Sequence, residues 1–153
     1  MKDLVRILFV CHGNICRSTM AEFVMKDLVE KRGLTERFVI ESAATSTEEL
    51  RSPVYPGTRA ILEREGIDCS GKRARQMRRD DYGRFDLLIG MDEANIRNML
   101  RIAGGDPQGR IHKLLEFAGS EADIADPWYT RDFETTYDEV LTACTGLLTW
   151  LKP

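Results

Sequence analysis

Residues 4–10 read Leu-Val-Arg-Ile-Leu-Phe-Val, apolar at every position but one. A run this continuous suits a strand buried on both faces of a parallel sheet better than a half-exposed strand, which would alternate. We expect it to be the central strand. The pattern then changes period: after a short polar stretch, Met20, Phe23, Val24 and Leu28 recur at helical spacing from Thr19 until Gly33 stops the run. A second strand is expected at residues 38–43, then a polar loop through Pro53 and Pro56, then a helix over residues 58–65 that Gly66 ends.

The alternation continues. Residues 85–90 read as a third buried strand, Asp92 as the cap of a helix running to about Ile102, and residues 111–115 as a fourth strand. A loop around Asp126-Pro127 precedes a closing helix over residues 133–151, whose apolar positions include Phe133, Tyr137, Val140, Leu141, Leu147, Leu148 and Leu151. Gly146 lowers the intrinsic helix preference of that segment. Strands alternating with helices predict a parallel sheet covered on both faces. We expect one α/β domain of three layers over residues 1–153, with a four-stranded parallel sheet in the order 2-1-3-4; no internal repeat, low-complexity stretch or linker divides the chain.

Composition narrows the function classes. The 153 residues, 42% of them hydrophobic, are enough for one buried core. The net charge is -3 with acidic and basic residues interleaved, so no basic stripe is available for a nucleic-acid backbone. Residues 1–6 lead into only four apolar positions before Cys11, too short a run for a signal-peptide core or a membrane span; a cytoplasmic protein without a membrane partner is expected. The four cysteines then need not pair, and Cys11 and Cys16 lack the spacing of common zinc sites.

Cys11-His12-Gly13-Asn14-Ile15-Cys16-Arg17-Ser18 joins the first strand to the first helix, at the carboxyl end of the sheet where open α/β folds bind ligands. Backbone amides there can curl into a cup for a phosphate near the helix N-terminus. The same field should favour the Cys11 thiolate, a nucleophile toward phosphorus, while Arg17 offers a planar two-pronged grip on phosphate oxygens. Cys-x5-Arg alone is weak evidence, since a chain of this composition holds a chance match about one time in three; the strand-to-helix setting is what gives it meaning.

The loop resembles the phosphate loop of the low-molecular-weight protein tyrosine phosphatases, which place Cys-x5-Arg-Ser near the N-terminus. Ser42-Ala43-Ala44-Thr45-Ser46, Ala74-Arg75-Gln76, Phe85-Asp86, Met91-Asp92-Glu93-Ala94-Asn95 and Asp126-Pro127-Trp128-Tyr129 resemble family segments in family order, so the likeness spans nearly the whole chain. It implies Cys11 as nucleophile, Arg17 as phosphoryl binder and Asp126 as the general acid that protonates the leaving phenolate and then activates water. It implies that residues His12, Gly13, Asn14, Ile15 and Cys16 surround the phosphoryl group and that Trp128 and Tyr129 wall the phosphotyrosine ring. Ser18 resembles the hydroxyl that bonds the thiolate, and Asn14 and Ser42 the pair that holds the loop in its curl. Cys16 is the implied partner of a reversible disulfide with an oxidised Cys11. The family needs no metal or cofactor, its substrates are phosphotyrosine proteins, and a monomer is expected, with a weak dimer as the alternative.

Two positions depart from the family pattern: Thr19 stands where a proline usually follows Arg-Ser, and Lys72 stands about where a histidine supports the loop. A charged lysine donates but cannot accept, which puts the supporting network in question. Glu48-Glu49 falls in the variable wall of the cleft and would favour phosphotyrosines with basic neighbours. Ile15 stands where relatives acting on phosphoarginine tend to carry threonine. The alternatives are a phosphoarginine phosphatase, an arsenate reductase of the same fold, a phosphocysteine carrier and a non-catalytic phosphopeptide module. Cys69 and Cys144 are far apart and form no relay of the reductase kind, and the last two have less need of Cys11, Arg17 and Asp126 together.

Overall fold

A computed structural model describes residues 4–153; Met1 to Asp3, which enter the argument against an export signal, lie outside the described residues. Four parallel strands, β1 (Val5–Cys11), β2 (Phe38–Ala44), β3 (Leu87–Gly90) and β4 (Ile111–Lys113), form one sheet in the order β2-β1-β3-β4. β1 is central, as its unbroken apolar run requires. Its alternate side chains feed two cores: Ile7, Phe9 and Cys11 on one face, Leu8 and Val10 on the other. All five are buried, which is why no polar position interrupts residues 7–11.

The first face is covered by helices α1 (Arg17–Lys31) and α6 (Phe133–Leu151), which deliver Met20, Val24, Val140 and Leu147 to the core. The second packs beneath helix α4 (Glu93–Ala103) through Met99, with Met77 and Phe85 beside it. Helix α2 (Pro56–Arg64), the one-turn helices α3 (Asp81–Arg84) and α5 (Pro127–Thr130), and two 3-10 turns at Thr35–Arg37 and Leu114–Ala118 complete the described residues. None of these helices is long and apolar enough to cross a membrane.

Four boundaries differ from the sequence reading by two residues. α1 begins at Arg17 rather than Thr19, its first turn closed by Met20 N donating to Cys16 O. α2 begins two residues early because Pro56 takes the first turn, where a missing amide hydrogen costs nothing. β3 starts at Leu87, since Phe85 ends α3, a turn not expected from the sequence and held by Arg78 N on the buried Asp81 carboxylate. β4 stops at Lys113: Leu114 and Leu115 both turn into the core as a 3-10 turn, which an extended strand would not allow.

Candidate active site

The register puts the ends of β1 and β3 side by side, with Val10 opposite Gly90, so the loops that follow them open at one edge of the sheet. The loop after β1 curls because its carbonyls are engaged on the outside. Cys11 O accepts from Thr45 N, His12 O from Ser46 N, Ile15 O from Tyr55 N, and Cys16 O from Met20 N and Thr19 Oγ1. In a planar trans peptide the carbonyl and the following amide point opposite ways, so the amides of His12, Gly13, Cys16 and Arg17 turn inward. Asn14 adopts a left-handed backbone (φ 59°), and its amide donates to Cys11 Sγ at 3.3 Å. Thr19 takes the place of the family proline with its hydroxyl satisfied on Cys16 O at 3.0 Å.

Arg17 is 2% exposed and lines the cleft beside Cys11. Its Nη1 donates to Asp92 Oδ2 at 2.7 Å and to Ile124 O at 2.9 Å, and Nη2 lies 3.5 Å from Asp126 Oδ2. Nε is buried with no hydrogen-bond partner among the described residues. Burial works against the guanidinium charge, but Cys11, Asp92 and Asp126 outweigh it and hold Arg17 above the ordinary arginine range. Asp92 serves twice: Oδ2 holds Arg17, while Oδ1 accepts from Asn95 N at 2.7 Å in a capping box at the start of α4. The cap was legible in the sequence; the grip on Arg17 was not, because it joins positions 75 residues apart.

Asp126 approaches from the loop between β4 and α6. It caps α5 by accepting from Trp128 N at 3.0 Å, which leaves its other oxygen facing Arg17. Trp128 and Tyr129 stand at the rim, 44% and 80% exposed; the edge of Trp128 rests on Tyr55, and Tyr55 stacks on Phe133. Cys11, His12, Gly13, Ile15, Cys16, Arg17, Glu48, Glu49, Asp126, Trp128 and Tyr129 line one cleft, so the expected site residues converge except the three set behind the loop, Asn14, Ser18 and Ser42. These three are linked: Asn14 Nδ2 donates to Ser18 Oγ at 2.8 Å and to Ser42 Oγ at 2.9 Å, and Ser18 Oγ sits 3.1 Å from Cys11 Sγ.

Burial, then the charges of Cys11 and Asp126, push the Cys16 thiol up to about 12, so at neutral pH it is no nucleophile. His12 carries its ring outward, 2.5 Å from Glu48 Oε2 at the mouth, while Glu49 accepts from Ser52 Oγ at 2.9 Å. His112 bonds Glu116 at 2.8 Å away from this cleft. A larger concavity of about 980 Å³ runs from Glu93 to Asp123 around β4, but Lys113 there is already bound by Glu93, Asp123 and the carbonyl of Glu121.

Lys72 answers the question its sequence position raised about the network behind the loop. It does not bond the phosphate loop; its Nζ donates to Ser42 O at 2.9 Å and lies 3.4 Å from Glu22 Oε1. The acceptor a lysine cannot supply comes from Glu22, which takes the Ser42 hydroxyl at 2.5 Å.

A sulfur inside a curl of amides, a buried guanidinium whose Nε has no hydrogen-bond partner among the described residues and a carboxylate within reach can bind a phosphate monoester and pass its phosphoryl group to sulfur. The family model described as "Low molecular weight phosphotyrosine protein phosphatase" matches residues 6–153. The low molecular weight protein-tyrosine-phosphatase YfkJ of Bacillus subtilis is 40% identical over 147 residues, covering 95% of this chain and 94% of its own. Its crystal structure superposes with a TM-score of 0.94 over 97% of this chain and 95% of its own, at 38% identity. The crystal structure of SP-PTP, a low molecular weight protein tyrosine phosphatase from Streptococcus pyogenes, gives 0.86 at 39% identity over 97% of this chain and 93% of its own. With nearly the full length matched at such identities and in so similar a fold, this chain belongs to the low molecular weight phosphotyrosine protein phosphatase family.

Proposed function

We propose that the protein hydrolyses phosphotyrosine in protein substrates through a covalent phosphate on Cys11. The observation that carries this reading is Arg17: a nearly fully buried cation beside Cys11, with Nη1 fixed by Asp92 and Ile124 and Nε left without a hydrogen-bond partner among the described residues, is arranged for a dianion entering the curl. Cys11 Sγ attacks phosphorus as the bond to the phenolic oxygen breaks, and Asp126 gives that oxygen its proton. Asp126, now a carboxylate, takes a proton from a water that attacks the same phosphorus; the S–P bond breaks, inorganic phosphate leaves and the thiolate is restored. The inward amides of His12, Gly13, Cys16 and Arg17 and the Arg17 guanidinium hold the charge throughout. Ser18 steadies the sulfur, with Asn14 and Ser42 behind it, and Trp128, Tyr129 and Ile15 form the apolar walls for a flat ring.

The test is steady-state release of phosphate from a phosphotyrosine peptide in EDTA, beside phosphoserine and phosphoarginine substrates. Turnover of the tyrosine substrate should vanish in Cys11→Ser and fall about 10²- to 10⁴-fold in Asp126→Ala, the range of a lost general acid. Full activity in Cys11→Ser contradicts the reading, and preferential turnover of phosphoarginine assigns the site to that substrate instead.

A further inference from the structure

Behind the phosphate loop lies a buried carboxylate that the proposed reaction does not use. Glu22, on α1, is 4% exposed. Its Oε1 accepts from Ser42 Oγ at 2.5 Å and lies 3.4 Å from Lys72 Nζ; its Oε2 accepts from Lys26 Nζ at 2.6 Å. An ionised side chain so placed needs compensation, and the two lysines supply it. Lys72 carries a cost of its own: burial lowers its affinity for a proton, with Glu22 acting in the opposite sense.

The hydrogens of this cluster can be placed one by one. Arg75 N donates to Asn14 Oδ1 at 3.2 Å, which fixes the amide so that Nδ2 faces inward. Nδ2 has two hydrogens, one directed at Ser18 Oγ and one at Ser42 Oγ. Each hydroxyl is thereby an acceptor with a single hydrogen to give. That of Ser42 goes to Glu22, and that of Ser18 is left for Cys11 Sγ at 3.1 Å. Without Glu22, the Ser42 hydrogen has no acceptor on that side. A flipped Asn14 amide, with Oδ1 receiving both hydroxyl hydrogens at the cost of its bond from Arg75 N, becomes the competing arrangement, and it turns the Ser18 hydrogen away from the sulfur.

We infer that Glu22 is a positioning residue for the Cys11 thiolate: by accepting from Ser42 it holds, together with Arg75 N on Asn14 Oδ1, the direction of the chain Glu22–Ser42–Asn14–Ser18 in which Ser18 donates to the sulfur. Lys72 and Lys26 compensate the carboxylate, which accounts for a lysine where relatives often carry a histidine. The inference rests on the proposed role of Cys11 as nucleophile.

The experiment follows alkylation of Cys11 by iodoacetamide at pH 6, read by peptide mass mapping, together with kcat on a phosphotyrosine peptide. Glu22→Ala should slow alkylation about tenfold and lower kcat in parallel, whereas Glu22→Gln, which keeps an oxygen acceptor, should stay within about threefold of the parent. Charge alone has the opposite sign, because removing a nearby anion favours a thiolate. Alkylation as fast in Glu22→Ala as in the parent, or faster, overturns the inference, and so does an equal loss in Glu22→Gln and Glu22→Ala. Should Glu22→Ala fail to fold around the stranded lysine, Glu22→Ala/Lys72→Met carries the same expectation and the same refutation. If alkylating Cys11 in the parent leaves turnover intact, it is the nucleophile reading that fails; if it abolishes turnover while the Glu22 variants behave as parent, only the role of Glu22 is refuted.

Discussion

At the scale of single residues, Arg17 divides its hydrogens between the fold and the cleft. Asp92 and the Ile124 carbonyl hold Nη1, Nη2 lies 3.5 Å from Asp126, and Nε, without a hydrogen-bond partner among the described residues, is left for a phosphoryl oxygen. Asp92→Asn keeps the oxygen that caps α4 but turns an amide toward the guanidinium, so it should lower kcat/KM about 10- to 100-fold while circular dichroism shows unchanged helix. Kinetics equal to the parent would mean that Arg17 holds its place without Asp92. At the mouth, Glu48 is exposed and bonded to His12, and Glu49 lines the same cleft. Charges in water a few ångströms apart interact by about 1 kcal/mol, so Glu48→Lys should shift the preference between basic and acidic peptide flanks by about fivefold toward acidic. Peptide kinetics with an unchanged preference would remove Glu48 from substrate choice.

At the scale of elements, the unbroken apolar run of β1 and the helical spacing that follows were legible because period and burial are local properties of the chain. The one-turn helices α3 and α5 were not, since each is too short to show a hydrophobic period: one carboxylate, Asp81 or Asp126, holds each by accepting from a backbone amide three or two residues away. The same limit applied to the site. Cys11, Arg17 and Asp126 could be named from motif and order, but Asp92 and Glu22 act across 75 and 20 residues. Gly146 shows the converse, a residue that reads as a weakness in α6 and is a requirement of packing. A Cβ there would lie 2.0 Å from the Phe117 carbonyl oxygen, a backbone atom of the 3-10 turn against α6. Helix propensity alone predicts that Gly146→Ala gains about 1 kcal/mol. We expect a net loss of about 2 kcal/mol in urea denaturation, because the turn must be displaced; a stabilised variant would show that the turn yields freely.

At the scale of the whole molecule, acid should loosen the fold late. Asp106, against burial, is lowered by the Tyr82 hydroxyl at 2.6 Å and by the amides of Arg110 and Ile111; backbone and side-chain bonds from Ser70 and Thr135 lower Asp68 and Asp132. A carboxyl lowered by folding contributes its full stability above its unfolded value near 3.8 and loses it as pH falls through the folded value. Glu139, raised by burial and by Asp132, opposes this trend by itself. The urea midpoint should therefore change little between pH 7 and 5 and fall below about pH 4, and Asp106→Asn should be less stable than the parent at pH 7 but not at pH 2. A midpoint that falls steeply above pH 5 would assign acid sensitivity to other groups. The fold also brings Cys11, Arg17 and Asp126 into one cleft from two loops more than 100 residues apart in sequence, and the account stands on the sulfur accepting phosphate there. Acid quench of a phosphotyrosine peptide reaction followed by peptide mass mapping tests this directly. One phosphoryl group should appear on the Cys11 sulfur within the first turnover and be absent in Cys11→Ser; turnover with no phosphoryl group on Cys11 at any time, or with one on His12, would contradict it.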